Sequence, residues 1–208
     1  MFLFRTMMQY GRDVRKISYN GKTVAESGCA LMSCANAYRA MTGKKLDIRD
    51  LVKLSEQNDC MVPGIGTRWK FVFLFAEKYN LQIEIIHNVW QAIDAIGSGA
   101  TGIVSAHNRN LQIFTKVGHW MSIIGTRDSG FIVYDSQLKT KLHAPNARAA
   151  IKSGLMRPMK RKVWVDAEFL ASEVKPEFPE PQNAESFANE EFGIALLRMK
   201  KCSDTKSI

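Results

Sequence analysis

The sequence predicts an α+β domain in which helices come first and an antiparallel sheet follows. Up to Gly99, apolar residues recur mostly at helical spacing, and after it short β-rich runs alternate with turn residues. A chain of 208 residues is long enough to bury a sizeable core in one domain. Helices followed by strands, rather than alternating with them, are typical of α+β architecture.

The first predicted helix covers residues 29–41 and is apolar nearly all round. Ser33 and Asn36 are its only polar breaks before an arginine, and Gly43 follows at the position where helices commonly end. A helix that is apolar on most sides is buried centrally rather than lying on a surface. We therefore expect a buried central helix that begins at Cys29.

Three further helices are each expected to begin after a residue with an N-capping side chain. These caps are Asp47, Thr67 and Asn88. The strands are expected in short runs that are rich in β-branched and aromatic residues. These runs are LQIEII, TGIVSAH, HWMSIIG, FIVYDS and KVWVD.

Charge is distributed unevenly along the chain. The formal net charge is +9, and residues 139–162, here called the basic block, contain eight Lys or Arg and no acid. Residues 166–191 contain eight Asp or Glu and one Lys. The basic block predicts either a contact with an anionic partner or a solvated surface that is offset by its acidic neighbour.

The composition divides the chain into a domain over residues 1–171 and a tail over residues 172–208. The segment SEVKPEFPEPQNAES carries three of the six prolines together with several acids, which is typical of an extended linker. The following stretch, FANEEFGIALLRMKK, is expected to contain a short docking helix.

Cys29 is the candidate nucleophile. The start of a buried helix offers backbone N–H groups and the positive end of the helix dipole, which favour a thiolate and can hold an oxyanion. Gly28 precedes it, and a glycine there allows a substrate backbone to approach closely. The alternative is that Cys29 is a plain core cysteine, as we expect for Cys34.

A cysteine nucleophile needs a base and a group that orients the base, and His119 and Asp135 fit these roles. His119 begins one predicted strand, Asp135 ends the next, and the turn sequence GTRDSG lies between them. In a simple hairpin the two residues lie opposite each other on one face. The alternative is that both are structural residues at strand ends.

At these residues the chain resembles the papain-like cysteine peptidases related to the bacteriocin leader-processing peptidases, especially their stand-alone bacterial and phage relatives. The likeness runs from about Gln9 to Asp135. It is carried by the order and spacing of MQYGRD, TVAESGC, MTGKKLDIRDLVKL, GIGTRWKFVFLFAEKYNLQIEII, GIVSAH, VGHWMSIIG and the strand that ends in aspartate. The chain departs from the family in GCALMS, where Gly-Cys-Gly-Pro-Thr is frequent, and at Ser136, where proline is common.

The resemblance implies a papain-like α+β fold with Cys29 as nucleophile, His119 as base and Asp135 as the residue that orients the base. It implies that Gln9 donates to the oxyanion through its side-chain amide. Gly28 and Trp120, which lie next to the nucleophile and the base in sequence, are expected to contact substrate. The expected substrate is a peptide or a peptidoglycan amide, and no cofactor is expected.

Two other classes of function stay open on the sequence alone. One is a catalytically silent papain-like protein with a binding or structural role, for example in a virion, which the GCALMS departure favours. The other is a nucleic-acid binder that uses the basic block, although that block lacks the interleaved aromatic residues of stacking platforms.

Several further features are expected to be absent. The spacing of His, Cys, Asp and Glu predicts no metal site. No apolar run reaches the ~18 residues of a membrane span, and the N-terminal residues lack the pattern of a secretory signal. We therefore expect a cytoplasmic protein with reduced cysteines, for which phage delivery is one route to a cell wall.

Overall fold

The structure is a computed structural model that describes residue 9 and residues 11–62, 66–106, 113–114, 118–137, 142–174 and 193–200. Seven helices lie in these residues: α1 Val24–Ser27, α2 Cys29–Thr42, α3 Ile48–Glu56, α4 Lys70–Lys78, α5 Val89–Gly97, α6 Pro145–Lys152 and α7 Ala167–Glu173. The strands of the same residues are β1 Ser18–Tyr19, β2 Lys22–Thr23, β3 Met61–Val62, β4 Gly66–Thr67, β5 Leu81–Ile86, β6 Thr101–Ala106, β7 His119–Arg127, β8 Gly130–Tyr134, β9 Met156–Met159, β10 Lys162–Asp166 and β11 Ile194–Met199.

The main sheet has seven strands in the order β5-β11-β6-β7-β8-β10-β9. Every pair of neighbours in it is antiparallel. The other described strands pair as two short ladders, β1 with β2 and β3 with β4. The α+β fold class with helices around a large antiparallel sheet is therefore confirmed.

The central strands of the sheet are buried on both faces, and alternate residues of β7 belong to different cores. Met121 and Ile123 pack into a core with helices α5, α6 and α7. Trp120 packs into the other core, which contains helices α2, α3 and α4. This arrangement follows from the two-residue period of a strand. Within the described residues, no helix combines the length and the apolar character that a bilayer crossing needs.

Helix α2 is the buried central helix that the sequence predicts. Its eight residues from Ala30 to Ala37 are all buried, and it packs against β7 and β6. The buried polar side chain of Asn36 donates from Nδ2 to the Met32 carbonyl oxygen at 2.7 Å. The helix ends at Gly43, whose φ of 75° is the left-handed conformation that favours glycine at this position.

Two of the three predicted helix caps are confirmed. Asp47 accepts a hydrogen bond from the Arg49 N–H, and Asn88 accepts from two N–H groups of the first turn of α5. The third prediction is wrong, because α4 begins at Lys70 and Thr67 lies in strand β4. The Thr67 hydroxyl is instead paired with the buried hydroxyl of Tyr19 at 3.0 Å.

The predicted docking helix near the C-terminus is also wrong, because Ile194–Met199 forms strand β11. This strand pairs with β5 on one side and β6 on the other, inside the main sheet. Leu196 faces one core and Leu197 the other, so both faces of the strand are apolar. A strand with two apolar faces does not show the alternation of apolar and polar residues that identifies a strand in sequence. Hydrophobic periodicity therefore cannot distinguish a short run of this kind from a buried helix.

The predicted boundary at residue 171 falls inside helix α7, since that helix extends over Ala167–Glu173. Most of the predicted acidic linker, namely residues 175–186, lies outside the described residues, as do residues 187–192 of the stretch that follows it.

Candidate active site

The junction between α1 and α2 places Cys29 at the first position of the buried helix. Gly28 ends α1 by donating its N–H to the Val24 carbonyl at 2.8 Å, and its own carbonyl accepts from Met32 N–H at 3.0 Å. A Cβ atom at residue 28 would lie 2.5 Å from Val24 Cγ1 and 2.7 Å from Val24 O. Glycine is therefore required here by packing within the chain. A contact between Gly28 and substrate stays a prediction.

Cys29 differs from the other described cysteines in exposure. Cys34 and Cys60 are fully buried, whereas Cys29 is partly exposed. Burial raises the pKa of the Cys34 thiol and is also the main cause of the raised pKa of Cys60. Both buried thiols are therefore held in the unreactive neutral form. Cys29 has the accessibility and the helix-terminal position that a nucleophile needs.

His119 and Asp135 are joined by a short buried hydrogen bond. The distance between His119 Nε2 and Asp135 Oδ1 is 2.6 Å, and the side chains are 4% and 0% exposed. The same oxygen accepts the backbone N–H of Gln137 at 2.7 Å. The expected contact between the two side chains is present. A buried carboxylate in this position fixes the orientation of the ring and favours the tautomer with hydrogen on Nε2.

A β-bulge brings the two residues to the same face of the sheet. Next to the turn, Thr126 pairs with Phe131. If this register continued, Asp135 would pair with Ser122 and would face away from His119. The bulge at residues 124–125 shifts the pairing by one residue.

Beyond the bulge, Ile123 pairs with Val133. Continuing that register places Asp135 level with Met121, two residues from His119. The two residues are therefore diagonal neighbours rather than directly opposite, a separation that long side chains can bridge.

Gln9 lies between the segment that leads to Cys29 and the segment that follows Asp135. Its side chain is fully buried, and its Nε2 donates to the Ala25 carbonyl at 2.8 Å. Its Oε1 accepts the hydroxyl of Ser136 at 2.7 Å. These two bonds fix the plane of the amide. Its role as an oxyanion donor stays a prediction.

Ser136, Tyr134 and Asn36 hold the residues around Asp135, and sequence reasoning did not identify these roles. Ser136 is fully buried and holds Gln9, at a position where the resembling family commonly has proline. Tyr134 is fully buried and hydrogen-bonds Asn36, which connects α2 to the end of β8. Burial is the main cause of the raised pKa of the Tyr134 hydroxyl. The position of Tyr134 and Ser136 on either side of Asp135 is the one sequence feature that could have identified them.

The remaining predicted substrate contact, Trp120, is mostly buried. Its side chain is 7% exposed, and its ring packs edge-on against Trp69 with centroids 4.5 Å apart. Trp120 is therefore part of the packed core, and it follows His119 directly in strand β7. A contact with substrate stays a prediction. Among the residues that the structure describes, no group of three or more His, Cys, Asp or Glu side chains could hold a metal ion.

Comparison with known proteins gives likenesses of fold only. No family model and no curated protein matches the sequence. One similar solved structure is the peptidase domain of Streptococcus ComA, a bi-functional ABC transporter involved in a quorum-sensing pathway, with 15% identity and a TM-score of 0.49 over 81% of this chain and 89% of that one. Another is a putative C39-like peptidase from Bacillus anthracis, with 12% identity and a TM-score of 0.49 over 85% of this chain and 91% of that one. At these identities and TM-scores neither likeness supports a statement about what this chain does.

Proposed function

We propose that the chain is a papain-like cysteine peptidase, or a related amide hydrolase, in which Cys29, His119 and Asp135 form the catalytic triad. The observation that supports this most is the 2.6 Å hydrogen bond between His119 and Asp135, with the histidine 4% exposed and the aspartate fully buried. This hydrogen bond lies at the start of β7, and helix α2, which begins at Cys29, packs against that strand. A base held by an orienting group and a thiol at a helix terminus are the parts that nucleophilic catalysis needs.

The proposed reaction is acyl transfer through a thioester. Because Nε2 of His119 is engaged with Asp135, Nδ1 is the ring atom that exchanges a proton with Cys29. The Cys29 sulfur attacks the substrate carbonyl carbon and forms a tetrahedral oxyanion. This intermediate collapses to a thioester as His119 protonates the leaving amine. Water then loses a proton to His119, attacks the thioester and releases the acid together with the free thiol.

Gln9 and the backbone N–H of Cys29 are proposed to stabilise the oxyanion. The amide nitrogen of Gln9 carries two hydrogens, and Ala25 accepts one of them. The other hydrogen is assigned to the oxyanion. Because Ala25 and Ser136 hold both ends of the amide, this donor is positioned before substrate arrives.

A silent binding protein is the alternative that the GCALMS departure favours, because Ala30 and Leu31 stand where smaller or differently shaped residues are frequent in the resembling family. Both side chains are fully buried in the core with helix α2. Their burial supports the catalytic proposal, because side chains directed into the core do not narrow an approach to Cys29.

Cleavage of a degenerate peptide mixture, followed by mass spectrometry, tests the proposed function. We expect the wild-type chain to produce new termini and the Cys29→Ala variant to produce none above the uncatalysed background. A Cys34→Ala variant is the matched control and should retain cleavage. Purified peptidoglycan is tested in parallel, since it is the second expected amide source. Equal product from wild type and Cys29→Ala, or no product from either substrate, would contradict the proposal.

A further inference from the structure

We infer that residues 160–162, here called the cationic rim, bind carboxylate groups of the substrate close to the scissile bond. The rim consists of Lys160, Arg161 and Lys162 and includes the turn between β9 and β10. The inference rests on the proposed function, because it assigns a substrate class to the same site.

Strand register places the rim at the catalytic end of the sheet. Strand β10 is antiparallel to β8, and Val163 pairs with Val133. Continuing this register by two residues places Arg161 level with Asp135. The charge of Arg161 also lowers the pKa of Tyr134, against the larger effect of burial. The strand register therefore directs the β9–β10 turn toward the end of the sheet where Asp135 bonds His119, and the effect of Arg161 on Tyr134 agrees with this direction.

The charge of the rim is not compensated by the described residues around it. At the opposite end of these strands, Asp128 pairs with Arg127 at 3.8 Å and with Arg157 at 3.6 Å. The ion pairs among the described residues include none from the rim. The carboxylate that lies level with Arg161 belongs to Asp135, and it already accepts from His119 and from the Gln137 N–H.

The burial of the rim residues suits an anionic ligand. Lys160 and Arg161 are exposed, so both are accessible to a ligand. Lys162 is half-buried, and burial lowers the pKa of its amine. A carboxylate next to that amine would stabilise its charged form, so binding of an acidic group is favoured on electrostatic grounds.

The chemistry of the neighbouring site selects a carboxylate rather than a nucleic acid. A site that hydrolyses amides receives peptides, and their anionic groups are carboxylates. Binding of single-stranded nucleic acid on a stacking platform also needs an accessible aromatic ring. Trp164 is the nearest tryptophan in sequence, but it is 5% exposed and the Arg157 guanidinium lies 4.4 Å from its ring centroid.

Charge reversal of the rim tests the inference. Matched peptides that carry glutamate or glutamine near the cleaved bond are compared by kcat/KM at low salt. We expect the wild type to favour the glutamate peptide by about three- to tenfold and the double variant Lys160→Glu, Arg161→Glu to lose or invert this preference. The control is Lys44→Glu, Lys45→Glu, which makes the same change in net charge on two exposed residues. These lysines follow the far end of α2, about 20 Å along the helix from Cys29, so the control should keep the wild-type preference.

An equilibrium measurement separates this inference from the proposed function. The glutamate and glutamine peptides are titrated against the Cys29→Ala variant with and without the rim reversal. Tighter binding of the glutamate peptide that is lost on rim reversal supports the rim even if no cleavage is found. Equal affinity for the two peptides, or a preference that survives rim reversal, would overturn it.

A muropeptide with free or amidated stem carboxylates identifies the source of the carboxylate. It is titrated in the same way as the glutamate peptide. Preference for the free muropeptide over the glutamate peptide assigns the rim to the cell wall, and the reverse assigns it to acidic polypeptides.

Discussion

Replacing Asp135 with alanine should lower kcat for peptide cleavage by about 10³-fold or more, whereas replacing it with asparagine should cost much less. The reason is that a single carboxylate oxygen of Asp135 makes both hydrogen bonds. His119 Nε2 and the Gln137 N–H both bond to Oδ1 of Asp135. The amide oxygen of asparagine can take both bonds, with the Gln137 N–H holding it in place. Alanine removes the acceptor and releases the imidazole to rotate.

The difference between these two variants distinguishes orientation from charge. Asparagine cannot stabilise the imidazolium as a carboxylate does, so a residual loss of about tenfold is expected from the missing charge. Alanine also removes the acceptor of the buried His119 ring and of the partly buried Gln137 N–H, which costs about 1–3 kcal/mol of stability for a buried donor and less for an accessible one. Urea unfolding of both variants therefore accompanies the kinetics. Equal losses of kcat in the two folded variants would show that the oxygen does not orient the base.

Removing all residues after Ala171 should prevent the chain from folding, whereas removing only the residues after Lys200 should not. The first truncation deletes β11, which lies between β5 and β6 and contributes side chains to both cores. Its loss removes the described strand partner of β5, leaves β6 paired with β7 alone, and exposes apolar surface on both faces of the sheet. The second truncation retains the whole strand. Far-ultraviolet circular dichroism during thermal unfolding measures the difference.

Single substitutions in β11 test the placement of this strand at individual side chains. Leu196 is fully buried, so Leu196→Ala should lower the free energy of unfolding by about 2–5 kcal/mol. Met199 is 49% exposed at the end of the strand, so Met199→Ala should change it by about 0.5 kcal/mol or less. A cooperative unfolding transition in the chain truncated after Ala171 would contradict the placement of this strand.

The sequence predicts elements well where local chemistry determines them. Asp47 and Asn88 cap helices because their side chains reach nearby N–H groups. Residues 30–37 are apolar on most sides of the helix, and this pattern indicates a buried helix in any fold. Thr67 has the same capping potential but pairs with Tyr19, a residue far away in sequence. A tertiary contact of this kind cannot be read from local sequence.

The long-range parts of the fold depend on pairing that a single sequence does not record. The apolar run of β11 is compatible with a helix until β5 and β6 provide its partners. The pairing of His119 with Asp135 was predictable from the hairpin, but the bulge that brings them to one face was not. The bonds from Gln9 to Ala25 and Ser136 join three separate segments, so their geometry required the structure.

The alkylation rate of Cys29 by iodoacetamide at pH 7 tests the central claim most directly. Site-resolved mass spectrometry of the folded full-length chain compares it with Cys34 and Cys60, which are buried and have raised pKa values. If His119 activates a thiolate at Cys29, this cysteine should react far faster than the other two. The His119→Ala variant should slow it by about tenfold or more, since an ordinary thiol is only a few per cent ionised at this pH. Equal rates at the three cysteines, or a Cys29 rate that is unchanged in folded His119→Ala, would contradict a catalytic thiolate.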